Sequence, residues 1–250
     1  MGIRRGPNIV TDGLVFTADA ANPSSYPGSG TAWNDLTATQ NNGTLTNGPT
    51  FDSANGGNIN FDGTNDIVEF GSSNLLTGDN CQSATLCSWV KWTNTDRYYI
   101  ASIKRSASDS TLMSLSVNQN GSGNSEAGFA SIVVRNAANS AFTYPAYDGG
   151  YNDGVWHNIV GKVDGNLVTT YVDGIARAGV TSGMQSVTGN TAEFTIGGFA
   201  VGFGSGFFLD GNVAQVSFYR RGLDASEILQ NYNALKPRFG LWILVVYELL

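Results

Sequence analysis

Between Asp153 and Arg177 the chain carries two short runs of β-branched and aromatic residues, Trp156–Val163 and Leu167–Val172, each followed by a tight-turn dipeptide. Asp164-Gly165 separates the runs and Asp173-Gly174 closes the second; glycine after aspartate supplies the positive φ that a short hairpin needs. Alternation places Ile159, Gly161 and Val163 on one face of the first strand, and Val160 and Lys162 on the other. Similar runs bounded by turn residues predict strands at Leu14–Ala18, Asn58–Phe61, Ile67–Phe70, Thr85–Trp92 and Tyr98–Lys104. Further strands are expected at Leu112–Val117, Ala127–Arg135, Ala141–Tyr144, Glu193–Ile196 and Asn212–Tyr219. One helix stands out. Asp224-Ala225-Ser226-Glu227 has capping-box spacing, Ile228, Leu229 and Tyr232 give an apolar stripe, and Lys236-Pro237 ends it.

Composition agrees with this pattern. Thirty-two glycines and only 13% charged residues mean many turns and little exposed helix. Asp-Gly and Asn-Gly recur along the whole chain, which favours a sandwich or barrel over alternating strands and helices. With no linker and no internal repeat, residues 1–241 read as one all-β domain, an antiparallel β-sandwich with one short C-terminal helix. Residues 242–250 form an apolar tail with a single charge, too short to span a bilayer as a helix, which takes about 20 residues. Trp242, Ile243, Val245 and Tyr247 in it read either as an added strand of the chain's own sheet or as a docking strand onto a neighbouring subunit.

A net charge of −7, with thirteen basic residues thinly spread, argues against nucleic acid as a partner. The N-terminus lacks the apolar run of a secretory signal. Cys81 and Cys87 are the only cysteines, and both a bridge and a buried free thiol at Cys87 remain open. His157 is the only histidine and opens a strand, a packing or turn position rather than a catalytic one.

Two clusters carry candidate chemistry. Asp62, Asn65 and Asp66 crowd one turn and offer the oxygen donors that calcium takes, although such turns also form by Asx hydrogen bonding alone. Tyr144, Tyr147 and Tyr151 share a turn-rich loop with Asp148, Asn152 and Asp153, a set suited to stacking on sugars and binding their hydroxyls. The same loop also reads as a cover over the sandwich or a subunit contact.

Asn60–Phe70, NFDGTNDIVEF, resembles the entry strand of laminin G-like (concanavalin A-like) jelly-roll domains. Thr85–Lys91, Trp156-His157-Asn158 with Leu167–Asp173, Thr195–Phe199 and Phe208–Glu227 resemble further blocks of that family in the same order. The resemblance implies a jelly roll, and it puts Asp210 where relatives often carry a metal-linked or turn aspartate. Asp12–Asp35, Asn41–Thr50 and the close at Tyr232–Leu241 are similar to virion-associated proteins of tailed phages. Hydrolases of the fold usually place their carboxylates as E-x-D-x-x-E on one strand, and none of the five glutamates begins that motif. The expectation is a non-catalytic virion structural protein, made in the host cytoplasm and displayed on a capsid or tail surface. Its expected partners are other virion proteins, further copies of itself and host surface glycans. The alternatives are an adhesin module outside any virion and, more remotely, a glycoside hydrolase.

Overall fold

The computed structural model describes residues 7–73, 75, 82–105, 111–135, 142–181, 192–198 and 207–241. In chain order the strands are β1 (Leu14–Asp19), β2 (Ala32–Trp33), β3 (Gly43–Thr46), β4 (Thr50–Asp52), β5 (Asn58–Asp62) and β6 (Ile67–Ser73). They continue with β7 (Ser83–Lys91), β8 (Tyr98–Arg105), β9 (Thr111–Gln119), β10 (Ser125–Arg135), β11 (Phe142–Thr143) and β12 (Ala146–Asp148). The last are β13 (His157–Asp164), β14 (Leu167–Val172), β15 (Ile175–Thr181), β16 (Ala192–Ile196) and β17 (Asp210–Tyr219), followed by helix α1 (Ala225–Leu235). Short 3-10 turns cover Ala54–Gly56 and Lys236–Phe239.

Two antiparallel sheets result. One runs β15-β14-β13-β7-β17-β5-β4, with β1 beside the C-terminal half of β17. The other runs β11-β10-β9-β8-β16-β6-β3-β2, with β12 on β10. The hairpin that the turn residues announce is present, pairing Ile159 with Val172 and Asp164 with Leu167. Asp173 and Gly174 both take positive φ, +54° and +78°, and make the two-residue turn into β15.

The inner faces interdigitate. Phe16 of β1 meets Phe70 and Phe194 of the opposing sheet at ring-centroid distances of 5.0 and 4.9 Å. The face predicted for Ile159, Gly161 and Val163 is this inner one, and Gly161 is bare because Ile132 of β10 occupies the space its Cβ would need. Val160 faces outward and is still buried, because the first sheet has a second cover. α1 and the turn after it lie across its outer surface, stacking Phe239 on Trp89 at 4.3 Å and Tyr232 on Trp89 at 5.6 Å.

The helix starts as its sequence indicates: Asp224 Oδ1 accepts from Glu227 N–H, and Glu227 Oε2 accepts from Asp224 N–H. Glu227 also receives both Nη groups of Arg221, at 2.7 and 2.6 Å. Beyond the helix, Arg238 donates to Asp19 Oδ1 at 2.7 Å and to the carbonyls of Asn55 and Gly57, clamping the final turn to β1 and to the Ala54–Gly56 turn.

Five strands, β2, β3, β4, β12 and β15, escape sequence reading. β2, β3 and β4 are two to four residues long, too short for an alternation to register. β15 is an edge strand with no buried residue, so it carries no apolar stripe. The strand expected at Ala141–Tyr144 contracts to β11, and Pro145 separates it from β12.

Gly161→Ala is expected to destabilise the fold by about 1–3 kcal/mol through overpacking against Ile132, read as a lower urea midpoint. Wild-type stability in this variant would show that the two sheets separate more easily than their packing indicates.

Candidate functional site

A cleft of about 290 Å³ opens on the outer face of the first sheet, beyond the area covered by the helix. Its floor is a row of polar residues on three neighbouring strands. Asn212 of β17 pairs with Asn60 of β5 on one side and with Lys91 of β7 on the other. Their sequence neighbours Ile59, Val90 and Val213 point into the core, so alternation turns all three outward. Asp210 lies two residues before Asn212, on the same face and opposite Asp62. Thr93 and Gly154 form the far wall.

The floor is organised by amides. Asn212 Nδ2 donates to Asn58 Oδ1 at 2.9 Å and to Asn60 Oδ1 at 3.2 Å, while Asn58 Nδ2 donates to the carbonyls of Asp52 and Ala54. That leaves the Asn60 amide donor and the Asn212 carbonyl uncommitted among the described residues. Lys91 Nζ sits 5.4 Å from the Trp156 ring centroid, and the indole N–H of Trp156 is held by Asn55 Oδ1.

The wall hangs on Asn118, a buried residue at φ +54°. Its Oδ1 accepts from Trp92 Nε1 and Gly128 N, and its Nδ2 donates to the carbonyls of Asn94 and Asp96. All four bonds are internal, which suits a polar side chain out of reach of water. Asn94 in turn donates to the Asp210 carbonyl at 2.7 Å.

His157 supports the wall from below. Nδ1 lies 2.8 Å from Asp173 Oδ2 and Nε2 lies 3.3 Å from Asp153 Oδ1. Tyr151 meets the imidazole edge-on at 4.9 Å, and Trp92 does so at 6.3 Å. Burial works against the charged ring, but the Asp173 hydrogen bond and the charges of Asp173 and Asp153 outweigh it and raise its pKa.

The expected site residues are only partly brought together. Tyr151 is buried in the main core, and Tyr147 is half-buried against it with the Arg177 guanidinium 5.3 Å from its ring centroid. These two rings are therefore packing groups, not an exposed stacking platform. Tyr144 is half-buried against the Gly123 turn; burial raises its phenol pKa, opposed by Arg97 and Arg135. Asp148 pairs through its backbone with Phe129. Asn152 donates to the Asn94 carbonyl at 3.4 Å and so braces the cleft wall.

Of the aspartates expected to hold calcium, Asp62 and Asp210 are exposed at the cleft end, whereas Asp66 is buried and accepts from Asp62 N–H. Burial raises the Asp66 pKa, opposed by that hydrogen bond, with the Asp62 charge adding to the rise. Among the described residues no three His, Cys, Asp or Glu side chains converge to hold a metal, so the three aspartates do not form a shared carboxylate site. Asp66 instead fixes its turn. Cys87 is a free thiol pushed up to about 12 by burial. Cys81, Trp242, Ile243, Val245 and Tyr247 lie outside the described residues. No helix among the described residues is long and apolar enough to cross a membrane.

A family model described as the concanavalin A-like lectin/glucanases superfamily matches residues 61–229. No curated protein sequence matches the chain. Among solved structures, the chain resembles Trypanosoma rangeli sialidase in complex with sialic acid, at 17% identity and a TM-score of 0.64. That match covers 93% of this chain and 35% of the sialidase, so the chain spans about a third of that enzyme's length. Domain 4 of the extracellular arabinanase AbnA from Geobacillus stearothermophilus, in complex with arabinotriose, matches at 17% identity and a TM-score of 0.61, over 88% of this chain and 98% of that one. The binding domain of botulinum neurotoxin DC, in complex with SialylT, matches at 10% identity and a TM-score of 0.64, over 89% and 51%. At such identities the likeness is one of fold.

The His157 geometry has a consequence for stability. With its folded pKa raised above the unfolded value of about 6.5, the stability it contributes is complete below that pH and is lost as pH rises through the folded pKa. Urea unfolding followed upward from about pH 6 should show this decline in the wild type and lose it in His157→Gln. An unchanged pH profile in the variant would assign the decline to other groups.

Proposed function

The chain belongs to the concanavalin A-like lectin/glucanases superfamily, and we propose that it is a non-catalytic carbohydrate-binding module acting through the cleft over Asn60, Lys91 and Asn212. The observation that carries this reading is the pairing of free donors with free acceptors on a rigid floor. Each carbon of a sugar's vicinal diol presents one hydroxyl, both donor and acceptor. The Asn60 amide and Lys91 ammonium supply donors, and the Asn212 carbonyl and Asp210 carboxylate supply acceptors. That AbnA domain 4, matched over 98% of its length, is in complex with arabinotriose supports the reading without naming this chain's ligand.

The carboxylates support the non-catalytic part. Glu69, Glu126, Glu193 and Glu227 are engaged by Thr46, Asn120, Lys104 and Arg221, each on a different element. Asp62 and Asp210 pair across the strands, and both are exposed to solvent.

A glycan array with and without Ca²⁺, followed by calorimetry on a hit, tests the site. Asn60→Ala should weaken binding by about tenfold, the effect of about 1.4 kcal/mol for one lost hydrogen bond, while leaving thermal unfolding nearly unchanged. Asn212→Ala should weaken binding similarly and also lower stability by about 1–3 kcal/mol, because it strips buried Asn58 Oδ1 of its donor. A blank array, or full affinity in both variants, would overturn the assignment, and hydrolysis of the bound glycan would overturn its non-catalytic part.

We further propose that the module is displayed on a virion as a homo-oligomer. The resemblance of Asp12–Asp35, Asn41–Thr50 and Tyr232–Leu241 to virion-associated proteins of tailed phages, read from sequence alone, supports this, and the start of that region is gathered around one carboxylate. Asp35 accepts from the backbone N–H of Thr17, Thr37 and Asn41 and from the hydroxyls of Thr37 and Thr39. Immunogold labelling of purified particles should decorate a capsid or tail surface, and deletion of residues 242–250 should lower the oligomeric state while sparing the fold. Unlabelled particles would remove the virion setting.

A further inference from the structure

The two nitrogens of His157 face two carboxylates on different elements. Asp173 stands in the turn between β14 and β15, and Asp153 stands in the loop that carries Gly154 to the cleft wall. Carboxylates only accept, so satisfying both contacts takes an N–H on each ring nitrogen, which only the imidazolium has. A neutral ring keeps one. The contact to Asp173 is the shorter, at 2.8 Å, and Asp173 Oδ1 also accepts from Asn158 N–H at 2.9 Å, so this side is anchored twice. The contact to Asp153 is longer, at 3.3 Å, and Asp153 is the more exposed of the two carboxylates, so it is the one lost. A neutral ring would then turn the Nε2 lone pair toward the Asp153 carboxylate, and the pair would repel.

Asp153 is the link between the ring and the wall. Its Oδ1 also accepts from Val155 N–H, closing the turn that holds Gly154, and Gly154 N–H donates to the Trp92 carbonyl at 3.1 Å. The other groups facing the imidazole are the rings of Tyr151 and Trp92. The charged groups that set its state are thus Asp153 and Asp173.

We propose that His157 is a positioning residue for the cleft: its imidazolium ties the Asp153–Val155 wall to the β14–β15 turn, and ligand affinity falls when the ring loses its proton. The ring never touches ligand. Its raised pKa, noted above, keeps the tie in place to a higher pH than an unperturbed imidazole would. The effect on affinity rests on the glycan-binding reading; the tie itself does not.

The test uses the whole chain in two arms. In the first, without glycan, ¹⁵N shifts of the His157 ring and the exchange protection of the Gly154 amide are followed from about pH 6 to about pH 9. Protection should fall at the midpoint where Nε2 loses its proton. Asp153→Asn keeps an Oδ1 acceptor for Val155 N–H but removes the carboxylate charge that pairs with the imidazolium and repels the neutral ring, and should abolish that fall. A purely structural histidine would give the same profile in both proteins. Protection that is independent of the ring's titration would overturn the proposal. In the second arm, the affinity for whichever glycan the array returns should fall by about tenfold across the same midpoint in the wild type and stay flat in Asp153→Asn. A flat wild-type profile would overturn the link to the cleft. If no glycan binds at any pH, the binding reading fails while the first arm still decides whether His157 positions the wall.

Discussion

The structure depends on the first sheet being buried on both faces. β7 and β17 lie at its centre, with the opposing sheet against one side and α1 with its following turn against the other. Trp89 shows what this demands. It points away from the sandwich core, yet it is fully buried because Phe239 and Tyr232 stack on it. A buried indole of this size contributes several kcal/mol through area alone, so the helical layer is part of the domain's core. Arg238 completes that layer by tying the last turn to β1 and to the Ala54–Gly56 turn.

The cleft is the counterpart of this cover. At Phe239 and Trp156 the described helical layer stops; beyond it no described residue covers the same sheet face, whose residues change from Trp89 and Ala214 to Lys91 and Asn212. Trp156 marks the boundary, packing 4.9 Å from Phe239 on one side and lying under Lys91 on the other. Among the described residues, fold and candidate site therefore share one element, the helical cover, which packs on Trp89 and borders the cleft at Trp156.

Much of this was legible in the sequence, and the exceptions have physical reasons. The Asp173-Gly174 turn and the Asp224–Glu227 capping box are local, fixed by residues a few positions apart, and both appear as read. The cleft floor is not local. Asn60, Lys91 and Asn212 come from three strands far apart in the chain, and only the pairing register makes them a row. The one sequence signal was Lys91, a polar residue in step with the outward face at the end of an apolar strand. The tyrosine loop misled in the opposite way. Tyrosines among Gly, Asn and Asp look exposed, but Tyr151 turns inward to close the core beside His157. The Asp62–Asp66 turn shows the same ambiguity in its chemistry, since Asp66 Oδ2 closes the turn by accepting the Asp62 N–H while its Oδ1 is buried without a partner among the described residues.

Floor and wall differ in rigidity, and this shapes what the cleft can do. The floor sits on central strands whose backbone groups are paired and whose amides hold one another, so ordering it costs little when a ligand binds. The wall is loop, fixed by a few side-chain bonds from Asn118, Asn152 and His157. Affinity for a polar, weakly interacting ligand is sensitive to such preorganisation, because each hydrogen bond gained only replaces one made to water. Among the described residues the cleft is lined by one ammonium, Lys91, and one carboxylate, Asp210, with Asp62 beside it, so its charges largely offset one another. Recognition there must come from the fixed geometry of the amides, and the few bonds that hold the wall in place matter as much as the groups that would touch the ligand.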